Sequence, residues 1–157
     1  EAQEDVQLDD LLFEIRQDLS AIDARVKIKL EFLNMPAESA MLSVRGNRHL
    51  LSIALSNIID NAIKYSDFGE VHVELTYSPE TISIRVTDSG IGIEAPDMKY
   101  IYQPFYRGKN AITYQGTGIG LPLAERIIKL HQGKLTVQSE KNKGTVAEVV
   151  FETLDHH

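Results

Sequence analysis

The chain has 157 residues, 43% hydrophobic and 25% charged, the proportions of an ordinary globular domain able to enclose a real core. Sixteen Lys and Arg against 23 Asp and Glu leave a net charge of -7, which argues against a nucleic-acid-binding surface. With no cysteine there is neither a disulfide framework nor a thiolate metal site, and no apolar run approaches the roughly 18 residues of a membrane span.

Leu8, Leu11, Leu12, Ile15, Leu19 and Ile22 recur at helical spacing, so a helix is predicted from Leu8 to Ile22, with Asp9 and Asp10 in its first turn. "RVKIKLEFL" (Arg25 to Leu33) alternates Val26, Ile28, Leu30 and Phe32 on one side, the pattern of a half-buried strand. A loop with Pro36 and a short apolar stretch from Met41 to Val44 lead to Asn47, a good N-cap for a helix from Arg48 to Tyr65. At about 100° per residue, Leu51, Leu55, Ile58, Ile59 and Ala62 share one broad face of that helix. Asn57, Asn61 and Lys64 fall on the opposite side, with Tyr65 at its margin.

"EVHVELTYS" and "TISIRVTDS" alternate across a Ser78–Pro79–Glu80 turn and read as an antiparallel hairpin. From Asp88 to Gly120 the chain is glycine-rich and irregular, with one short helical stretch near Asp97 to Gln103. "LPLAERIIKLHQG" is a helix with Pro122 in its first turn, Lys129 and His131 near its end and Gly133 just beyond. "KLTVQSE" and "TVAEVVFE" close a second hairpin around Lys143 and Gly144. This order predicts an α+β fold, a two-layer sandwich of helices against one mixed, mostly antiparallel sheet, in a single domain from residue 8 to 155.

Three stretches carry chemistry beyond packing. The simplest reading of Asn57, Asn61 and Lys64 is a solvated helix face. The sharper one is a metal-phosphate site, because neutral amide oxygens suit Mg²⁺ and a lysine adds a point charge for the same phosphates. "DSGIGI" (Asp88 to Ile93) follows a strand: as well as a turn, it offers a carboxylate for an exocyclic amine such as that of adenine. Gly90 and Gly92 would there admit a flat ring close to the backbone. "QGTGIGL" (Gln115 to Leu121) places Gly116, Gly118 and Gly120 before a helix N-terminus, an anion site in principle. It is neither a dinucleotide fingerprint, lacking the preceding strand and parallel unit, nor a Walker loop, lacking Gly-Lys-Ser/Thr. In the intervening "YQPFYRGKNAITYQG", Arg107 and Lys109 lie among Tyr102, Phe105, Tyr106 and Tyr114, either an exposed loop or a clamp on a terminal phosphate. "DFG" (Asp67 to Gly69) lacks the companion motifs of protein kinases and reads as the turn between helix and strand.

Taken in order, "NIIDNAIKYS", "DSGIGI", "YQPFYRG" and "GTGIGL" resemble the N, G1, F and G2 boxes of the catalytic ATP-binding domain of bacterial sensor histidine kinases. These belong to the superfamily of gyrase, Hsp90, histidine kinase and MutL, whose fold is an α/β sandwich. The resemblance implies Mg²⁺ and phosphates on Asn57 and Asn61, phosphate oxygens on Lys64, and Tyr65 beside the nucleotide. Asp88 would read the adenine amine, in a pocket shaped by Gly90, Gly92 and Ile93. Phe105 would anchor a lid, Arg107 would reach the terminal phosphate, and Gly116, Thr117, Gly118, Gly120 and Leu121 would fold over the triphosphate. The implied catalytic set is thus Asn57, Lys64 and Arg107, the cofactors ATP and Mg²⁺. Asn47 stands where many relatives have Asp, and Pro122 where a small residue is common.

Hydrolytic branches of the superfamily carry a glutamate at the place of Asn57. An amide there takes no proton from water, so the resemblance implies phosphoryl transfer rather than hydrolysis. Family acceptor histidines precede an acidic residue, whereas His49 precedes Leu50, His72 precedes Val73 and His131 precedes Gln132. The expectation is a domain that binds Mg-ATP without phosphorylating itself, for an acceptor histidine on a dimerisation domain upstream of Glu1 and a response-regulator receiver beyond. Residues 1–7 would be the severed connection, and His156–His157 a tag remnant. The domain would be cytoplasmic and monomeric, touching neither nucleic acid nor membrane, with a membrane-bound parent. The alternatives are a serine kinase of the anti-sigma type and a catalytically silent ATP-binding module.

Overall fold

The computed structural model describes residues 3–90, 120–140 and 143–153. In chain order these form β1 (Glu4–Gln7), α1 (Leu8–Ile22), β2 (Ile28–Leu33), a 3₁₀ turn (Ser39–Leu42) and β3 (Ser43–Gly46). There follow α2 (Arg48–Tyr65), β4 (Val71–Tyr77), β5 (Thr81–Asp88), α3 (Gly120–Leu130), β6 (Lys134–Glu140) and β7 (Gly144–Glu152). Five strands make one sheet in the order β2-β4-β5-β7-β6, parallel only between β2 and β4. The α+β sandwich with a mixed, mostly antiparallel sheet is therefore the observed architecture.

Period-two alternation sets the sheet's buried face. Val71, Val73 and Leu75 on β4, Ile82, Ile84 and Val86 on β5, and Ala147, Val149 and Phe151 on β7 are all buried. They join Leu8, Leu11, Leu12 and Ile15 of α1 and the apolar stripe of α2 in one core. That stripe contains the expected Leu51, Leu55, Ile58, Ile59 and Ala62, and also Ala54 and Ile63. Ile22, expected on the apolar side of α1, is instead 80% exposed at the helix end.

Two short strands went unrecognised by pattern. β1 lies within the segment expected as a linker and pairs antiparallel with β3, burying Val6 against Val44. β2 begins at Ile28 rather than Arg25, because the Asp23 side chain accepts the Arg25 N–H at 2.9 Å and the Asp23 carbonyl accepts that of Val26. This turn holds Arg25 and Val26 out of the ladder, and the Lys27 carbonyl is the first group to join it, accepting the Val71 N–H at 2.9 Å. Asp67 and Phe68, with φ of 52° and 64°, make the turn from α2 to β4 that their sequence suggested. After α3 the left-handed residue is Gln132, at φ 57°, not Gly133. Gly133 serves a different need: a Cβ there would lie 2.8 Å from the Phe151 ring.

Asn47 caps α2 as its sequence position suggests, its side-chain oxygen accepting the Leu50 N–H at 2.9 Å. Asn47→Ala is expected to cost about 1 kcal/mol in urea denaturation by freeing one N-terminal donor, and an unchanged midpoint would rule the cap out as a stabilising element.

Candidate functional site

The inward alternation of β5 runs Ile82, Ile84, Val86 and then Asp88, so the strand's register places a carboxylate on the core side of the sheet. Asp88 is only 5% exposed. The Gly90 N–H donates to its Oδ1 at 2.8 Å, and the backbone N–H of Thr145, its cross-strand partner on β7, also bonds the carboxylate. No cation pairs with it among the described residues. Burial therefore dominates and pushes the carboxyl from 3.8 up to about 6, while the two backbone donors pull the other way.

Asp88 stands at the edge of a cleft with an empty volume of about 360 Å³, continuous with solvent. Its floor is a cross-strand row, Val86 on β5, Ala147 on β7 and Val137 on β6, which are register partners in turn. Ile58 and Ala62 of α2 and Leu121 of α3 supply the walls. Asn61, Tyr65 and Thr145 are the other polar residues lining it. An apolar slot with one buried anionic acceptor at its rim suits a flat, mostly apolar ring bearing a hydrogen-bond donor.

Two close approaches keep this geometry. A Cβ on Gly90 would collide with the carbonyl oxygen of Tyr65 and lie 2.8 Å from the Ser66 Cα, so the segment after β5 lies directly against the end of α2. Gly144, at φ +94°, lies directly against the Asp88 carbonyl oxygen.

The other candidates divide. Asn61, Tyr65, Asp88 and Leu121 come together on the cleft. Asn57 sits one turn behind, half-buried, its Nδ2 donating to the Gly120 carbonyl at 3.5 Å. A Cβ on Gly120 would lie 3.8 Å from that of Asn57 and 3.9 Å from Asn61 Oδ1. The asparagine side of α2 thus faces the start of α3 rather than open solvent. Lys64 is turned to Asp60, with 2.9 Å between ammonium and carboxylate, a pairing its i,i+4 spacing permits. Gly92, Ile93, Phe105, Arg107, Gly116, Thr117 and Gly118 lie outside the described residues, as does the short helix expected near Asp97 to Gln103. Sequence reading missed Thr145 and the floor residues Val86, Val137 and Ala147, whose convergence depends on strand register. The usable signal was that Val86 and Asp88 share one parity along β5.

Residues 46–155 match the profile of the histidine kinase-, DNA gyrase B- and HSP90-like ATPase family. The heme sensor protein HssS of Staphylococcus saprophyticus is 42% identical over 111 residues, covering 70% of this chain and 24% of that protein. The chain therefore spans about a quarter of that relative's length. Among solved structures, a mycobacterial sensor histidine kinase, MprB, superposes with a TM-score of 0.79 at 23% identity, over 97% of this chain and 98% of that one. The nucleotide-free catalytic domain of histidine kinase ThkA gives 0.76 at 22% identity, with coverages of 97% and 98%.

Proposed function

The chain belongs to the histidine kinase-, DNA gyrase B- and HSP90-like ATPase family, as a catalytic domain of the sensor histidine kinase kind, and we propose that its cleft binds Mg-ATP for transfer of the γ-phosphoryl group to a histidine on another domain. The observation that carries this reading is Asp88, a buried carboxylate that among the described residues is held by backbone donors, lining an apolar slot. An adenine lying over Val86, Ala147 and Val137 would donate its exocyclic N–H to that carboxylate. A neutral group so placed recovers part of the cost of burying the charge.

The phosphates would run from the slot toward Asn61, Asn57 and the N-terminus of α3, the end of a helix dipole that favours anions. The amide oxygens of Asn57 and Asn61 fit a hard cation that retains water and phosphate ligands, and would hold Mg²⁺, which supplies neutralisation of phosphate charge. Lys64 would exchange Asp60 for a phosphate oxygen. Arg107 would reach the terminal phosphate, with Phe105 and the glycines Gly92, Gly116 and Gly118, together with Ile93 and Thr117, enclosing the nucleotide. Asn57 leaves no carboxylate there to activate water, so the acceptor is another side chain. The acceptor nitrogen's lone pair would form the N–P bond as the bond from Pγ to the bridging oxygen breaks and ADP leaves. His49, His72 and His131 do not line the cleft, which supports an acceptor on a separate dimerisation domain, with relay to a receiver aspartate.

The test uses terminally labelled ATP and Mg²⁺, with this domain alone and then with the histidine-bearing dimerisation segment of its parent protein. Acid-labile label only on the added segment is the expected result. Acid-stable label on serine, or binding with no transfer at all, would replace the reading by a serine kinase or a silent binding module.

A pH dependence follows from Asp88. The ionised acceptor is nearly complete at pH 7, half present near pH 6, and is lost as the carboxyl protonates below that. Adenosine, which carries no phosphate to titrate, should bind progressively more weakly below pH 6, approaching tenfold per pH unit. An affinity flat from pH 7 to pH 5 by calorimetry would remove Asp88 as the acceptor.

A further inference from the structure

We infer that His131 is a positioning residue for the cleft, a neutral imidazole with its proton on Nδ1 that fixes the register of α3 against α2. The ring sits just beyond α3, where Nδ1 lies 2.8 Å from the Ile127 carbonyl oxygen and Nε2 lies 3.1 Å from the backbone nitrogen of Asn47. A carbonyl only accepts and a peptide N–H only donates, so the two partners together select one tautomer: Nδ1 donates to Ile127 and Nε2 accepts from Asn47. Gly46 makes the room, since a Cβ there would collide with the imidazole.

This contact lies at the opposite end of the helix pair from the asparagines. From Asn47 to Asn57 along α2 is ten residues, and from Gly120 to Leu130 along α3 is also ten, about 15 Å in each case. The two helices therefore run antiparallel, with a polar tie near each end of α3: His131 to the Asn47 N–H at the start of α2, and the Gly120 carbonyl to Asn57 midway along α2. A slide of α3 by one residue, about 1.5 Å, breaks both ties. It also carries Leu121 along the wall of the cleft. The imidazole thereby sets, from the far end, where Gly120 and Leu121 stand relative to Asn57 and Asn61.

The inference concerns the cleft read above as the nucleotide site and rests on that reading for its consequence, though not for its geometry. ¹⁵N NMR of the nucleotide-free domain should show His131 with a protonated Nδ1 and an unprotonated Nε2; a protonated Nε2 overturns the inference. His131→Ala should shift the amide resonances of Asn57 and Gly120 and weaken Mg-ATP binding on the order of tenfold. His131→Gln, whose amide oxygen reaches the place of Nε2, should restore most of that affinity. A His131→Ala domain that binds as tightly as wild type, or a Gln variant no better than Ala, overturns it. If the Ala variant does not fold, the tautomer and the Gln variant decide. Failure of the wild type itself to bind Mg-ATP would defeat the nucleotide reading and leave the tautomer and resonance tests standing.

Discussion

Asp88→Asn should weaken Mg-ATP binding by about 10- to 100-fold and at the same time stabilise the nucleotide-free domain at pH 7. The loss follows from replacing an ionised acceptor, worth about 1.5–3 kcal/mol in a hydrogen bond, with an amide whose donor end competes for the same position. The gain follows from linkage. Folding raises the carboxyl from 3.8 to about 6, so between those values the folded state holds more protons than the unfolded one. Stability therefore falls as pH rises through that window, and above it the ionised carboxylate costs on the order of 3 kcal/mol. Asparagine keeps an oxygen for the Gly90 and Thr145 N–H groups without the buried charge, although its own NH₂ must find solvent in the cleft. The net expectation is a gain of about 1–2 kcal/mol at pH 7 that vanishes near pH 4. Urea denaturation at both pH values, beside calorimetric titration with Mg-ATP, makes the comparison. An ordinary structural aspartate would show the opposite sign, losing stability at pH 7, and that result would end the reading of Asp88 as a strained acceptor held for a ligand.

The same residue shows where the sequence is informative and where it stops. Asp88 stands out as a carboxylate ending a strand and opening a glycine stretch, and the alternation Ile82, Ile84, Val86 gives it an inward direction. Its burial is a different matter, because that depends on β7 lying beside β5 and on α2 closing over the top, pairings between residues about 60 apart in sequence. The floor of the cleft is of this kind throughout: Val86, Ala147 and Val137 meet only because three strands share one register. β1 and β3 were invisible for a related reason. Each is four residues long, too short to display a period, and each is a strand only because the other is there. By contrast α2 was legible at both ends, since its cap, its apolar stripe and its asparagines are all local signals. Lys64 is an instructive middle case. Its place on the asparagine side was readable, and so was Asp60 four residues before it, but weighing the two partners needs the fold.

The second large effect is expected at a residue that touches no ligand. Gly144→Ala should destabilise the domain by about 2–5 kcal/mol, at the upper end enough to unfold much of the population of a marginal domain at 37 °C. Two costs combine. The backbone sits at φ +94°, where an L side chain is strained by about 1–2 kcal/mol. The added methyl also meets the Asp88 carbonyl oxygen, and lies 2.8 Å from the Ser89 Cα. Neither is the yielding tip of a flexible side chain, so relief requires β7 to move off the end of β5, at a further 1–3 kcal/mol or so. That movement is where stability and function join. Thr145, the next residue, lends its backbone N–H to the Asp88 carboxylate and its side chain to Ser139, Oγ to Oγ1 2.8 Å. Ser139 in turn lies 3.0 Å from the Gly144 carbonyl oxygen. Drawing β7 away therefore loosens the acceptor as well as the ladder. Gly69→Ala is the control, because the tightest approach of its Cβ would be the Ser66 carbonyl oxygen at 3.1 Å, which a shift of a few tenths of an ångström relieves, and the Ser66 side-chain atoms lie at ordinary contact distance. Chemical denaturation should rank the two far apart, and the folded fraction of Gly144→Ala should also bind Mg-ATP more weakly than wild type. A Gly144→Ala domain within about 1 kcal/mol of wild type would mean that β7 yields there cheaply, and that the Asp88 carboxylate is held in place by the Gly90 N–H and the end of α2 instead.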